Sequence, residues 1–423
     1  GLTWAAVVAG VETNLTATSN IGLGSNAVDS ITTGDYNVGL GDDSGTAITS
    51  GQKNTLIGDG AGTAITTGQS NTAVGHDSLK TLVTGNDVVA IGKGALAVYT
   101  GSNAVAVGRN ALTLNTTGAD NTAVGHSALA ATTTGANNTA VGKSALTANT
   151  TGQVNVAVGA YALDANTTAS SGVAIGYNAL TANTTGGANI AIGKDALEHN
   201  TTGTRNISIG YLALEANTTA ANNIAIGAEA MNDNTTGANN TAIGDSALSA
   251  NTTGAQNTAM GTYALNANTT AINNTAVGYK ALYVNTTGAA NTAFGREALW
   301  SNTTATGNTA LGFQSQNRTT TGANNTSVGY DSLYTNTTGA NNVAVGKNAL
   351  LVNTTAASNT AVGATSMIAN TNGHSNSAFG RSSLIANTTG DHNTAIGYAA
   401  LLANTSANDN TAVGYSSLGA NTT

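Results

Sequence analysis

Hydrophobic and polar positions recur along this chain in a fixed order: a β-branched residue, a small residue, an aliphatic residue and a glycine, as in Thr139-Ala140-Val141-Gly142 and Val343-Ala344-Val345-Gly346. With that glycine as position 0, it stands at 24, 41, 58, 75 and 92, then at 108, 125, 142 and onward to 397 and 414. The step is 17 residues, with one step of 16 between Gly92 and Gly108. A fixed period of this size is the mark of a repeat architecture. The two-residue alternation, the turn-forming glycines and the absence of a helical period predict an all-β fold, a β-solenoid or β-roll of about 24–25 coils. Residues 1–20 read as a degenerate first coil, with Val7 in the glycine position and Asn14 in that of the Asn-Thr-Thr motif. Residues 21–423 read as one continuous shaft, on the order of 115 Å long at ~4.8 Å per coil.

Comparing one position across all coils indicates its environment. Position −1 holds Leu23, Ile57, Val74, Ile91, Met260, Phe294, Leu311 and Phe379 and nothing polar, which predicts a core position. Position −3 (Ile21, Val38, Val89, Val156, Ile190, Thr275) then shares the inward face by strand alternation, Ser377 being a departure. Position −2, almost always Ala, faces outward on this reading, and its restriction to small residues predicts close approach by another chain. Positions +1, +2 and +5 vary freely and face solvent. Leu at +4 (Leu112, Leu146, Leu248, Leu350) forms a second core layer. Two short strands per coil are expected, one of the "NTAV" type and one of the "SALxA" type. A single coil buries too little to fold alone and depends on its neighbours.

The Asn of each Asn-Thr-Thr stands at +7, where the early coils carry Ile31, Ile48, Ile65 and Leu82. A position that takes Ile or Leu is interior, so these sites are not sugar acceptors exposed to water. Identical coils ~4.8 Å apart let each buried amide donate to one neighbour and accept from the other. The predicted ladder includes Asn149, Asn166, Asn183, Asn217, Asn234, Asn251, Asn268 and Asn285, with a second at +13 (Asn138, Asn155, Asn240, Asn342) interrupted by Val88, Ala104 and Gly172.

Composition narrows the function classes. Charged residues make up 8% of the 423, aromatic residues 4%, and Pro and Cys are absent. Without Cys there is no disulfide framework or thiolate metal site. A net charge of −8 with 12 scattered Lys and Arg argues against nucleic acid as a partner, and no apolar run approaches the ~20 residues of a membrane-spanning helix. The five histidines (His76, His126, His199, His374, His392) have no third ligand or nucleophile in a defined relation to them. "GDDSG" at 41–45 and "GDGAG" at 58–62 come nearest to a calcium-binding repeat, in only two coils. The expectation is a protein that is not an enzyme and has no cofactor and no metal. The candidate binding stripe is position +1, where Tyr177, Tyr211, Tyr279, Tyr330, Tyr398 and Tyr415 interleave with Lys143, Lys194, Arg296, Lys347 and Arg381. Aromatic faces and cations suit cell-surface carbohydrate.

"NTAVGYKALYVNTTGAANTAFG" at 274–295 resembles the tandem repeats of tail fibre proteins of bacteriophages and other large aquatic viruses. "VAVG" and "VAIGYNAL" are similar to the β-roll heads of trimeric autotransporter adhesins. The resemblance covers essentially the whole chain after about residue 20. It implies a homotrimeric fibre, extracellular or on a virion surface, that mediates attachment. The adhesin heads use a shorter coil, which leaves handedness open. The repeats lack sequence-distinct caps, which leads to an expectation of flanking segments or end-to-end assembly. Two alternatives follow from the same residues: a self-polymerising extracellular filament and an ice-binding β-solenoid.

Overall fold

The computed structural model describes residues 19–422, so the degenerate first coil lies almost wholly outside the described residues. The chain divides into two compact units, Gly1–Asn206 and Ile207–Thr423. In the first unit eleven three-residue strands, β1 (Ile21–Leu23) to β11 (Ile190–Ile192), pair in parallel. Each residue faces its counterpart one period on, as Val173 faces Ile190, and the pairing absorbs the short step by setting Val89 against Val105. The second unit repeats the pattern with thirteen strands, β12 (Ile207–Ile209) to β24 (Thr411–Val413). Each unit is a parallel β-solenoid of 17-residue coils, as the period predicts.

Two expectations are overturned. The strand alternates as expected but faces the opposite way: Ala at −2 is fully buried in nearly every coil, whereas its neighbours at −3 and −1 lie at the surface, Phe294 at 53% exposure. The interior is thin, and facing a Leu at +4 it has room on the strand side only for a methyl group. The exceptions show the two positions meeting across the core. Where −2 is Leu56, the +4 residues on either side are Gly45 and Gly62, and a Cβ there would lie 2.6 and 2.7 Å from the Leu56 side chain. Where −2 is Gly39, a Cβ would meet the Val28 side chain at 3.0 Å. The Ala stripe is therefore small because of its own chain, and it offers no surface to another.

Among the described residues the second expected strand is absent. "SALxA" forms consecutive turns, in which the +2 and +4 residues take the left-handed conformation (Tyr263 φ 58°, Leu265 φ 51°). Ala264 N–H closes one turn on Gly261 O at 3.1 Å, and Asn268 N–H closes the next on Leu265 O at 3.1 Å. The same segment bonds to both neighbouring coils, Tyr263 N–H to Asp245 O and Leu265 N–H to Ala281 O, each at 3.0 Å. A left-handed leucine costs roughly 1–2 kcal/mol, and full burial of its side chain offsets that by about 1.5–3 kcal/mol. Gly at position 0 is required for two reasons at once: Gly142 has φ 141°, and a Cβ there would lie 2.4 Å from Gly159 O.

Both amide ladders form. At +7, Asn251 Nδ2 donates to Asn234 Oδ1 at 2.7 Å and to Gly254 O at 2.9 Å, while Asn268 Nδ2 donates to Asn251 Oδ1 at 2.9 Å. At +13 the backbone joins the ladder: Asn257 donates its backbone N–H to Asn240 Oδ1 at 2.9 Å and its Nδ2 to Ala271 O at 2.8 Å. Val88 and Gly172, which interrupt this second ladder, still donate their N–H to the preceding Asn. The Asn of Asn-Thr-Thr is buried, and the first Thr is occupied as well, Thr252 Oγ1 donating to Thr269 O at 3.1 Å. The motif is a structural repeat and not an exposed sugar acceptor. In the 16-residue coil Tyr99 replaces the Asn at +7. Its buried hydroxyl donates to Ser102 O at 2.6 Å, and burial, with a smaller contribution from the Asp120 carboxylate, pushes its pKa up to about 12.

Two outcomes follow. Ala259→Leu should destabilise the protein by about 1–3 kcal/mol through overpacking, and adding Leu248→Gly with Leu265→Gly should return most of that loss. Urea unfolding of the single and triple variants checks it. The +7 ladder breaks at Thr319, leaving Asn302 Oδ1 and Thr319 Oγ1 buried without partners. Thr319→Asn should therefore stabilise by about 1–2 kcal/mol, whereas Asn251→Asp, which buries a charge and loses two donated bonds, should cost at least about 3 kcal/mol. Thermal melts of both variants read the two signs.

Candidate functional site

The repeat gives each unit two distinct surfaces. The first is the outward side of the sheet. In the second unit its −1 column runs Ile209, Ile226, Ile243, Met260, Val277, Phe294 and on to Val413, and its −3 column is Thr, Val, Ile or Ser throughout. No charged residue stands in either column of this unit's strands. With thirteen strands at ~4.8 Å, the stripe measures roughly 58 Å by about 12 Å, on the order of 700 Å². Only the −1 column is apolar throughout, since ten of the thirteen −3 residues are Thr or Ser; that half, roughly 350 Å², lies within the ~300–600 Å² of the largest apolar patch on a typical monomer.

The second surface is built by the turns. The +1 residues singled out from the sequence are exposed, among them Tyr177, Tyr211, Tyr398, Tyr415 and Arg381. In the first unit Lys143 Nζ lies 5.1 Å from the Tyr161 ring, which meets Tyr177 edge to face at 6.1 Å, and Lys194 pairs with Asp195 at 3.1 Å. In the second unit five consecutive coils form one stacked column. The Arg296 guanidinium sits between Tyr279 and Phe313 at 5.8 and 5.7 Å, Phe313 stacks on Tyr330 at 5.2 Å, and Lys347 Nζ lies 5.6 Å from Tyr330. These contacts occupy the ring faces, so along this stretch the column presents edges and cations to solvent. That weakens it as a platform for stacking a sugar.

A group the sequence reading passed over lies at +2, +5 and +6 of neighbouring coils. Tyr283 and Trp300 stack at 6.2 Å with their planes 7° apart, and Lys280 Nζ lies 5.2 Å from the Tyr283 ring. Glu297 accepts from Gln314 Nε2 at 2.6 Å and from Arg296 at 3.1 Å. The Gln314 hydrogen bond, more than the neighbouring Arg296 and Lys280 charges, holds the Glu297 carboxyl below its usual range. The sequence signal was present: aromatic residues at +5 cluster in Tyr283, Trp300 and Tyr334. Free variation at +5 elsewhere concealed it.

Among the other candidates, His199 is brought together with Glu198 and Glu215, one ligand atom of each within 4.8 Å of the others, a grouping across neighbouring coils that the sequence analysis did not find. His76 lies 3.6 Å from Asp59 and 3.2 Å from Asp77, which also pairs with Lys80 at 3.0 Å, all on exposed turns. In the "GDDSG" turn Asp42 accepts from Ser25 N–H and Asp43 from Asn26 Nδ2, so both carboxylates are occupied by the preceding coil. No protein-family model matches the chain, and no curated protein matches it either.

The lowered Glu297 pKa fixes a sign. The carboxylate stabilises its contacts above the usual Glu range, and that contribution is lost as pH falls through the lowered folded value. Because the Glu297 side chain is 19% exposed while its partner Arg296 is 59% exposed, solvent screening of the pair should keep the global effect within about 1 kcal/mol. The Gln314 side-chain amide resonance should shift on acidification below the usual Glu range and stop responding in Glu297→Gln, as pH-dependent NMR would register.

Proposed function

We propose that this protein is a structural fibre subunit displayed extracellularly or on a virion surface, where it serves attachment, and that its copies assemble as a trimer through the outward sheet face. The observation that carries this reading is the uncharged stripe made of the apolar −1 column and the mainly Thr −3 column. Its estimated area approaches the ~800 Å² per partner of a standard interface. In a closed threefold assembly the contact is heterologous, one edge of the face on each copy meeting the other edge on the next around the axis, and the −1 and −3 columns supply two such different edges. The Ala stripe plays no part in this contact, and the role of interface passes to the two columns beside it. The turn surfaces, where charges and aromatics vary from coil to coil, are left facing outward.

The test is the native mass before and after Val277→Lys, Phe294→Lys and Leu311→Lys in one chain. These side chains project into solvent, so each copy keeps its fold and its β-sheet spectrum. The parent protein should scatter as three chains of 41.3 kDa, and the variant as one. A parent that is already a single chain, or a variant that keeps the native mass, overturns the reading; an open-ended mass turns it to the filament. A second reading, ice binding, draws on the same face. Thr241, Thr258, Thr275, Thr292, Thr309 and Thr326 stand in consecutive coils at surface positions, a regular hydroxyl and methyl array at ~4.8 Å spacing. A monomer with thermal hysteresis that the triple Lys variant abolishes would favour it.

A further inference from the structure

Trp300 differs from the other rings in the second unit's turn surface. One face of its indole is covered by Tyr283 in the coil before, and the +5 residue of the coil after is Asn317, too short to cover the other. Asn317 also turns inward, its Nδ2 donating to Glu297 O at 3.1 Å. The next ring in the column is Tyr334, two coils from Trp300 and thus roughly 10 Å away. Over it lies the Arg318 guanidinium, 5.4 Å from the ring centre. Trp300, Asn317, Arg318 and Tyr334 thus outline a recess of about 550 Å³, bordered on its other side by Lys280, Glu297 and Gln314.

We propose that this recess binds an acidic pyranose, a uronic acid unit of a polysaccharide, with its C–H face on Trp300 and its carboxylate on Arg318 and Lys280. An indole face is apolar but bordered by polar groups, which suits the alternating C–H and hydroxyl faces of a sugar ring. Charge selects the acidic kind. The charge of Glu297 is balanced by Arg296, with Gln314 donating a hydrogen bond to it, which leaves Lys280 and Arg318 as the excess charge in a chain of net charge −8. Arg318 presents its donors in the planar fork that matches a carboxylate. The recess lies on the turns, away from the outward sheet face, so its occupation does not rest on how copies associate.

Calorimetric titration of the full chain with trigalacturonic acid, with maltotriose as the neutral control, tests the proposal. Trigalacturonic acid should bind with a dissociation constant in the millimolar range or tighter and maltotriose at least about tenfold more weakly. Trp300→Ala should abolish binding, Trp300→Phe should keep part of it, and Arg318→Gln should weaken trigalacturonic acid about tenfold while leaving maltotriose unchanged. Each variant must retain the parent β-sheet spectrum and native mass; the triple Lys variant of the sheet face should bind as the parent does. No binding by the parent, equal binding of the two trisaccharides, or full binding by a folded Trp300→Ala would overturn the proposal.

Discussion

A coil of 17 residues encloses so little space that its interior polar groups cannot be fully satisfied within the coil itself. Each buried Asn at +7 and +13 therefore bonds to the coils before and after it, and this sets most of the other requirements. The ladders need identical residues at identical heights, which fixes the strands in exact parallel register and the period at one value. They also make each coil depend on its neighbours, since an end coil leaves amide groups unpaired, as at Asn404 Oδ1 and Asn421 Nδ2. The repetition of Asn-Thr-Thr is a consequence of this dependence: Asn for the interior, the first Thr for the neighbouring carbonyl, the second for the surface.

The thin interior also explains the backbone. To bring a Leu at +4 against the Ala at −2, the chain must turn within four residues of the glycine, and it does so by placing Leu itself in a left-handed conformation. That strain recurs in coil after coil and is tolerated because a coil held on both sides has no alternative that keeps its hydrogen bonds. Local deviations show the same coupling of volumes. Leu56 comes with Gly45 and Gly62, and in the coil of Gln316 the Leu at +4 is lost while Ser315, Ser327 and Ser332 replace Ala nearby. There Gln316 Nε2 donates to Thr309 O at 2.8 Å, and Ser315 and Ser327 bond to each other, so a polar core is built from matched substitutions. The coil with this polar interior also supplies Gln314, Asn317 and Arg318 to the turn-side recess.

A solenoid whose inside is uniform has only its outside for individuality. The strand side is uniform, apolar at −1 and mainly Thr, Val or Ile at −3; the turn side carries nearly all the variation, because residues at +1, +2 and +5 make few demands on the core. Stacking at 4.8 Å intervals then turns single substitutions into columns. Aromatics at the same position in consecutive coils cover one another, as Phe313 and Tyr330 do, and a short residue between two aromatics opens a space, as Asn317 does. A ligand site in such a protein arises where a column is interrupted.

The sequence by itself determined the period, the all-β class, the burial of Leu at +4 and both amide ladders, since each follows from which residue types a position accepts along one chain. It also placed −3 and −1 on the same side of a strand. It could not determine which side, because alternation fixes parity but not direction, and here the apolar residues lie outside and the methyl groups inside. Only the packing decided that, through the limited space between strand and turn. The turns in place of a second strand were likewise hidden, because a left-handed Leu runs against its ordinary preference and is held there only by the neighbouring coils. The recess at Trp300 was out of reach for a related reason: its walls come from separate coils, and only stacking sets Trp300 two steps from Tyr334 with Asn317 between them.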